Sequence, residues 1–260
     1  MYLNGMLKNQ NIFISGSYGH LGEKIAINFA KQSANLILNG RKREKLNLLK
    51  KKIHKNYDVN ITLACFDIAS ENKVKDFFLR FNNKIDVLIN NAHSSKMGDA
   101  NIINAKDFEK TLKTNLIGAS NLIKHSFNSM KRTKENFSSI INISSIYSVV
   151  SPYQYIYDKN NVNSFSYGSS KAALNQLSKY FAVRYAKNNI KVNSIILGAF
   201  PSDEYIKKNK KITNKLIQKI PVNRFGEIND IMGPIIYLST DLSNYVTGTE
   251  LVVDGGWTAW

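Results

Sequence analysis

Ser15-Gly16-Ser17-Tyr18-Gly19-His20-Leu21-Gly22 joins a short apolar run, Ile12–Ser15, to a helix-prone stretch that begins EKIAINFAKQ. Glycines in such a turn let the backbone close on a pyrophosphate. The first N–H groups of the helix add unpaired donors and the positive end of its dipole. The stretch therefore reads as the opening strand–turn–helix unit of a dinucleotide-binding domain.

Outward from that turn, β-rich runs alternate with helical patterns. Strands are expected at Asn35–Asn39, Ile61–Phe66, Val87–Asn90, Ile140–Ser144, Lys191–Ile196 and Glu250–Val253. Helices are expected near 21–33, 43–56, 71–82, 107–131, 167–188 and 228–239. Strands that are apolar nearly throughout, each followed by a helix, predict a parallel sheet covered on both faces. The expected fold class is α/β, a single Rossmann-type doubly wound domain over residues 1–260. Its dinucleotide-binding half is placed at about 10–135 and its catalytic, substrate-binding half at about 136–260. Two segments break the rhythm and read as long functional loops: Tyr147–Phe165, and Gly198–Pro221 with its lysines.

Composition narrows the function classes. With 43% hydrophobic residues the chain can bury a core, and its 21% charged content is ordinary. One cysteine, Cys65, excludes an internal disulfide framework and reads as a buried, inert thiol. The first residues lack the apolar centre of a signal peptide, and no run approaches the ~18 apolar residues of a membrane span. A cytoplasmic protein with no membrane partner and no metal is expected. The net charge of +17 raises nucleic acid as a partner, but the lysines are spread along the chain among Asn and Ile. The densest run, Arg41–Lys55, carries Leu46, Leu49 and Ile53 at helical spacing, the mark of a solvated amphipathic face. No nucleic-acid partner is predicted.

The end of the second strand bears on the cofactor. In this fold an acidic residue there accepts the adenosine ribose hydroxyls and repels a 2′-phosphate. Leu36-Ile37-Leu38-Asn39-Gly40-Arg41-Lys42 has no carboxylate, and Arg41 follows Gly40 directly. A guanidinium suits bidentate phosphate binding. NADP(H) is therefore favoured, with NAD(H) still admissible.

Tyr167-Gly168-Ser169-Ser170-Lys171 places a phenol and an ammonium four residues apart, on one helix face. A free phenol titrates near ~10, and a nearby ammonium is expected to lower that value and make Tyr167 a usable acid and base. Tyr155-Ile156-Tyr157-Asp158-Lys159 repeats the spacing, but asparagines follow it, whereas a sustained amphipathic helix follows Lys171. Tyr167 is the better candidate, and Tyr155 is left to line the substrate pocket. Upstream, Ile140-Ile141-Asn142-Ile143-Ser144-Ser145 ends in two hydroxyls, either able to bond a substrate oxygen on which charge builds.

Together these stretches resemble the short-chain dehydrogenase/reductase family from Ile12 to Gly256. The opening turn is similar to its TGxxxGxG motif, with Ser15 for Thr, Gly16 and Gly22 at the outer glycines, His20 for the middle one and Gly19 one residue earlier. Asp67 and Ile68 resemble the adenine contact after the third strand. Asn90-Asn91-Ala92-His93 resembles NNAG, with His93 for glycine, and Asn193–Gly198 resembles N-x-x-x-P-G, with Leu197 for Pro.

The resemblance implies a catalytic set of Asn115, Ser145 (in preference to Ser144), Tyr167 and Lys171. Lys171 would also hold the nicotinamide ribose, and Asn115 a proton-relaying water. Cofactor contacts are implied for Gly16, Ser17, Tyr18, Gly19, His20, Leu21, Gly22, Arg41, Asp67, Ile68, Asn91, Ala92, His93, Tyr167, Lys171, Gly198 and Ser202, and substrate contacts for Ser145, Tyr155, Tyr167 and Phe200. The segment Ile206–Lys219 would be a mobile cover. A homo-oligomer, dimer or tetramer, is implied, with Trp257-Thr258-Ala259-Trp260 buried at its interface.

The expected activity is interconversion of a secondary alcohol and a ketone. The aromatic, polar insertion Pro152–Asn160 suits a sugar-like or other polar small metabolite, with an interface loop as the alternative reading. A 3-oxoacyl-carrier-protein reductase is the alternative reaction. A non-catalytic dinucleotide sensor is the alternative of another class, and the intact Asn115, Ser145, Tyr167 and Lys171 speak against it.

Overall fold

The computed structural model describes residues 5–132, 137–157 and 159–260. In it β1 (Asn11–Ile14), β2 (Asn35–Gly40), β3 (Ile61–Cys65), β4 (Val87–Asn90), β5 (Ser138–Ser145), β6 (Ile190–Leu197) and β7 (Glu250–Val253) form one parallel sheet in the order β3-β2-β1-β4-β5-β6-β7. The expected doubly wound α/β fold is present.

Alternation along each strand divides the core between the two faces. From β1, Ile12 and Ile14 pack with Ile25 and Phe29 of α1 (His20–Lys31), Leu46 and Leu49 of α2 (Arg43–His54) and residues of the helix Ile228–Ser239. Phe13, between them, points the other way. It meets Val74 and Phe78 of α3 (Glu71–Arg80), with Leu122 and Ile123 beyond. Every residue of β4, β5 and β6 is buried, as expected of central strands covered on both sides. Strand order reverses between β1 and β4, so a crevice opens at their carboxyl ends.

The expected central helix, 107–131, is three pieces: α4 (Ala105–Leu112), a π turn (Lys113–Gly118) and α5 (Ala119–Met130). The hydrophobic period runs unbroken through the π turn, which adds a residue without changing the pattern that predicts a helix. α6 (Phe165–Tyr185) starts slightly before Tyr167. Gly198–Pro221 is not a plain loop: it holds α7 (Asp203–Lys208) and α8 (Lys210–Ile217), and α9 is Ile228–Ser239. Ile212 and Leu216 turn α8 inward beneath its lysines. Cys65 is half-buried rather than enclosed, with its Sγ 3.8 Å from the Arg41 carbonyl oxygen. The tail divides: Trp257 turns into the molecule, while Trp260 is exposed.

Candidate active site

The opening turn is held by its serines and glycines. Gly16 has φ +63°, and a Cβ there would stand 2.8 Å from the Ala92 Cα, so the turn rests on the segment after β4. Ser15 Oγ accepts the N–H groups of Asn91 and Ala92, each at 3.0 Å, and the Asn91 amide donates to the carbonyls of Ser15 and Gly16. β1 and β4 thus close on each other beneath the crevice. Ser17 and Gly22 are the exceptions among the expected contacts. Ser17 is buried, its hydroxyl donating to the Asn39 carbonyl at 3.0 Å, and Gly22 packs under the turn against Gly16. Neither lines the crevice. Both support the turn from behind.

Gly16, Tyr18, Gly19, His20 and Leu21 line one end of the crevice, with Arg41, Asp67 and Ile68 beside them. The α1 N-terminus has no side-chain cap, so its first N–H groups are not taken by its own cap residue. Tyr18 lies over Gly40, where a Cβ would come within 2.3 Å of its ring, and the Tyr18 hydroxyl accepts the Arg41 N–H at 3.1 Å. A side chain at Gly40 would displace that ring. Arg41 itself is exposed. Burial, and then Lys24, pushes the His20 imidazole below its ordinary pKa.

At the other end stand Ser145, Tyr167 and Lys171, all lining the crevice. Ser145 Oγ accepts the Tyr147 N–H at 3.2 Å, and its hydroxyl is near enough to the Tyr167 phenol to favour the ionised form. The expected lowering of the Tyr167 pKa by Lys171 is absent. Burial pushes that phenol up to about 12, the Ser145 hydroxyl opposing and Tyr147 adding to the rise. The reason is geometric: Lys171 Nζ donates to the Ile143 carbonyl at 2.6 Å and lies 5.8 Å from the Tyr167 ring centre. Burial brings Lys171 itself down to about 8. Ser144 also lines the crevice, and its buried Oγ has no hydrogen-bond partner.

Asn115 does not reach the crevice. It is buried in the π turn, taking the Ser94 N–H at 2.7 Å and donating to Ser170 Oγ at 2.9 Å. Its place is behind Tyr167, tying the segment after β4 to α6. His93, between Ala92 and Ser94, faces Tyr167 edge-on with ring centres 6.3 Å apart.

The insertion corrects the expectation for Tyr155. That ring is 84% exposed, packs edge-on against Tyr153, and is not among the residues lining the crevice. In the tight helical turn Gln154–Ile156, Ile156 docks on Ile212 and Leu216, which sends its predecessor outward. Tyr157 lines the pocket instead, its hydroxyl 2.6 Å from that of Tyr147. The insertion is stitched to the segment after β4 by the antiparallel bridge of Met97 with Asn163, and by N–H bonds from Gly98 to Val162 and from Asp99 to Lys159. Asp158 lies outside the described residues. Tyr157, Phe225 and Trp257 join Ile156, Ile212 and Leu216 in a small apolar roof over the pocket. Phe200, Gly198 and Ser202 line it as expected, together with Tyr205.

The cavity holds about 580 Å³, a size suited to a small organic ligand or cofactor. An uncapped helix start at one end and an unpartnered serine hydroxyl at the other fit a dinucleotide with a polar reacting end.

A family model described as enoyl-(acyl carrier protein) reductase matches residues 19–258. Among curated proteins, a 3-oxoacyl-acyl-carrier-protein reductase of Rickettsia conorii is 28% identical over 250 residues, 96% of this chain and 97% of the relative. A glucose 1-dehydrogenase of Gluconobacter oxydans is 28% identical over 261 residues, 96% of this chain and 92% of the relative. Among solved structures, the Pseudomonas aeruginosa RhlG/NADP active-site complex superposes with a TM-score of 0.86 at 24% identity, covering 98% of each chain. A Burkholderia cenocepacia gluconate 5-dehydrogenase in complex with NADP and tartrate gives 0.84 at 24% identity, covering 100% of each. At that identity the superpositions speak to the fold. Described residues include no helix long and apolar enough to cross a membrane and no cluster of metal-ligating side chains.

Proposed function

Because this chain belongs to the short-chain dehydrogenase/reductase family, whose members are nicotinamide-dependent oxidoreductases, we propose that it interconverts a secondary alcohol and a ketone with Tyr167 as the proton-exchanging group. The observation that carries this reading is the convergence of Ser145, Tyr167 and Lys171 on the inner end of the crevice. When bound, the nicotinamide supplies or takes up the hydride. Ser145 donates a hydrogen bond to the substrate oxygen, and Tyr167 delivers its phenolic proton to that same oxygen as negative charge builds there. In the oxidative direction the phenolate oxygen of Tyr167 takes the proton back. The Lys171 ammonium favours the phenolate once it turns from the Ile143 carbonyl toward the Tyr167 oxygen. Asn115 holds the Ser94 main chain and Ser170, and so fixes the spacing of the two sides of the site.

Gly16, Tyr18, Gly19, His20, Leu21, Asp67, Ile68, Asn91 and Ala92 would hold the cofactor's adenosine and pyrophosphate. NADP(H) is favoured over NAD(H), because Arg41 offers an exposed guanidinium beside Tyr18 with no carboxylate at Gly40. The NADP bound in the Pseudomonas aeruginosa and Burkholderia cenocepacia structures accords with this.

The phenols of Tyr147 and Tyr157, with Asn163 at the same end, favour a small hydroxylated substrate. A second reading, reduction of a 3-oxoacyl thioester, draws on the apolar wall of Met97, Leu216 and Phe225 and on the Rickettsia relative. A nicotinamide-absorbance screen with both cofactors, over hydroxylated ketones, sugars and 3-oxoacyl thioesters, tests the function. Turnover of the first two groups and not the thioesters is expected. No turnover of any compound by protein that binds cofactor would count against hydride transfer.

A further inference from the structure

We propose that His93 accepts a hydrogen bond from a hydroxyl of the ribose on the nicotinamide side of the bound dinucleotide, a contact that glycine at this position cannot make. This rests on the cofactor reading above and adds one residue's chemistry to it.

The main chain around His93 is clamped on both sides. Before it, the Asn91 and Ala92 N–H groups are held by Ser15 Oγ at 3.0 Å, directly under the phosphate turn. After it, the Ser94 N–H is held by Asn115 Oδ1 at 2.7 Å, on the side of Tyr167. The imidazole is thus fixed between the turn at one end of the crevice and the Tyr167–Lys171 pair at the other. It lines the crevice and is open to solvent there, yet protein encloses it on its remaining sides, with the Tyr167 ring edge-on at 6.3 Å.

Its protonation state decides what it can offer. The Asn91 main chain lies close to the ring and favours an N–H turned toward it. Burial first, and then the Lys171 ammonium, lower its pKa to about 4, so the ring is neutral at pH 7. A neutral imidazole keeps a lone pair on the ring nitrogen that carries no hydrogen. That acceptor needs a donor, and a pyrophosphate carries only acceptors. The next group toward the nicotinamide is a ribose, whose hydroxyls donate.

Calorimetric titration with ADP-ribose and with AMP separates this contact from a general effect on the fold. ADP-ribose carries the second ribose and AMP does not. His93→Ala is expected to weaken ADP-ribose about 3- to 10-fold, the range for one neutral hydrogen bond, and to leave AMP unchanged. His93→Gln, which keeps an acceptor, should recover part of the loss; it also serves if the alanine variant does not fold. Unchanged or tighter ADP-ribose binding in His93→Ala would overturn the proposal, as would equal losses for both ligands. Wild-type protein that binds neither NADPH nor NADH would instead remove the cofactor reading, and this contact with it.

Discussion

The Lys171 ammonium lies 5.8 Å from the centre of the Tyr167 ring, alongside its face rather than at its hydroxyl. Its hydrogen goes to the Ile143 carbonyl at 2.6 Å. The phenol is therefore a neutral, half-buried group whose acidity its surroundings lower and Ser145 raises. The Tyr167 titration should sit above that of free tyrosine, near 12. The ultraviolet difference between wild type and Tyr167→Phe is expected to show no tyrosinate between pH 7 and ~10, the ordinary tyrosine value. A tyrosinate titrating below that range would mean that Lys171 already reaches the hydroxyl.

Replacing Tyr167 by Phe removes the proton and keeps the ring. Turnover should fall by about 10²-fold or more, the usual contribution of a positioned acid–base group. NADPH affinity should stay close to wild type when followed by fluorescence. Retained turnover would reassign the proton to another group.

Burying Lys171 makes stability depend on pH with a definite sign. Its pKa is about 8 when folded against 10.5 for an unperturbed lysine, so between those values the unfolded chain binds more protons. Stability then rises with pH across that window, and the full burial penalty acts below about pH 8. Denaturant midpoints of wild type relative to Lys171→Met should increase from pH 8 toward pH 10. Lys191, brought down to about 8 by its own burial, is common to both proteins and cancels. A flat difference would contradict the burial seen here.

Arg41→Ala tests cofactor choice. It should weaken NADPH about tenfold, as expected for loss of one charged hydrogen-bonding partner, and change NADH much less. Fluorescence titration with both cofactors reads this directly, and an unchanged ratio would defeat the argument from Gly40 and Arg41.

Two tyrosines of the insertion should part company. Tyr157→Phe breaks the 2.6 Å bond to Tyr147 and should cost about 1 kcal/mol of stability while raising KM more than it lowers kcat. Tyr155→Ala, altering an exposed ring, should leave both kinetic constants near wild type. Steady-state kinetics on any substrate found in the screen distinguishes the pair.

Much of this architecture is legible from local pattern. Val87–Asn90, Glu250–Val253 and Ile228–Ser239 form the elements their periodicity predicts, and the glycine turn lies where strand and helix require it. Features that depend on distant partners are not legible. Tyr155 and Tyr157 are equivalent by composition, and only the docking of Ile156 on α8 settles which of them faces the pocket. Ser17 and Asn115 belong to the right motifs, but their side chains satisfy buried main-chain and side-chain groups instead of entering the crevice. Tyr147, Tyr205, Phe225 and Trp257 reach the pocket from loops, short helices and the tail, with no motif of their own. α7 and α8 are short, and in each the lysines match the apolar residues in number, so no helical stripe stands out.

The roof has a consequence for the order in which the molecule is made. The opening glycine turn and the segment it rests on leave the ribosome well before the residues of the roof. The roof joins Ile156 and Tyr157 to Leu216, Phe225 and Trp257. Folding that proceeds from the N-terminus during synthesis would then shape the nucleotide end first, while the pocket's ceiling waits for Trp257 to emerge. On that order the turn end of the crevice takes shape while its other end still lies open.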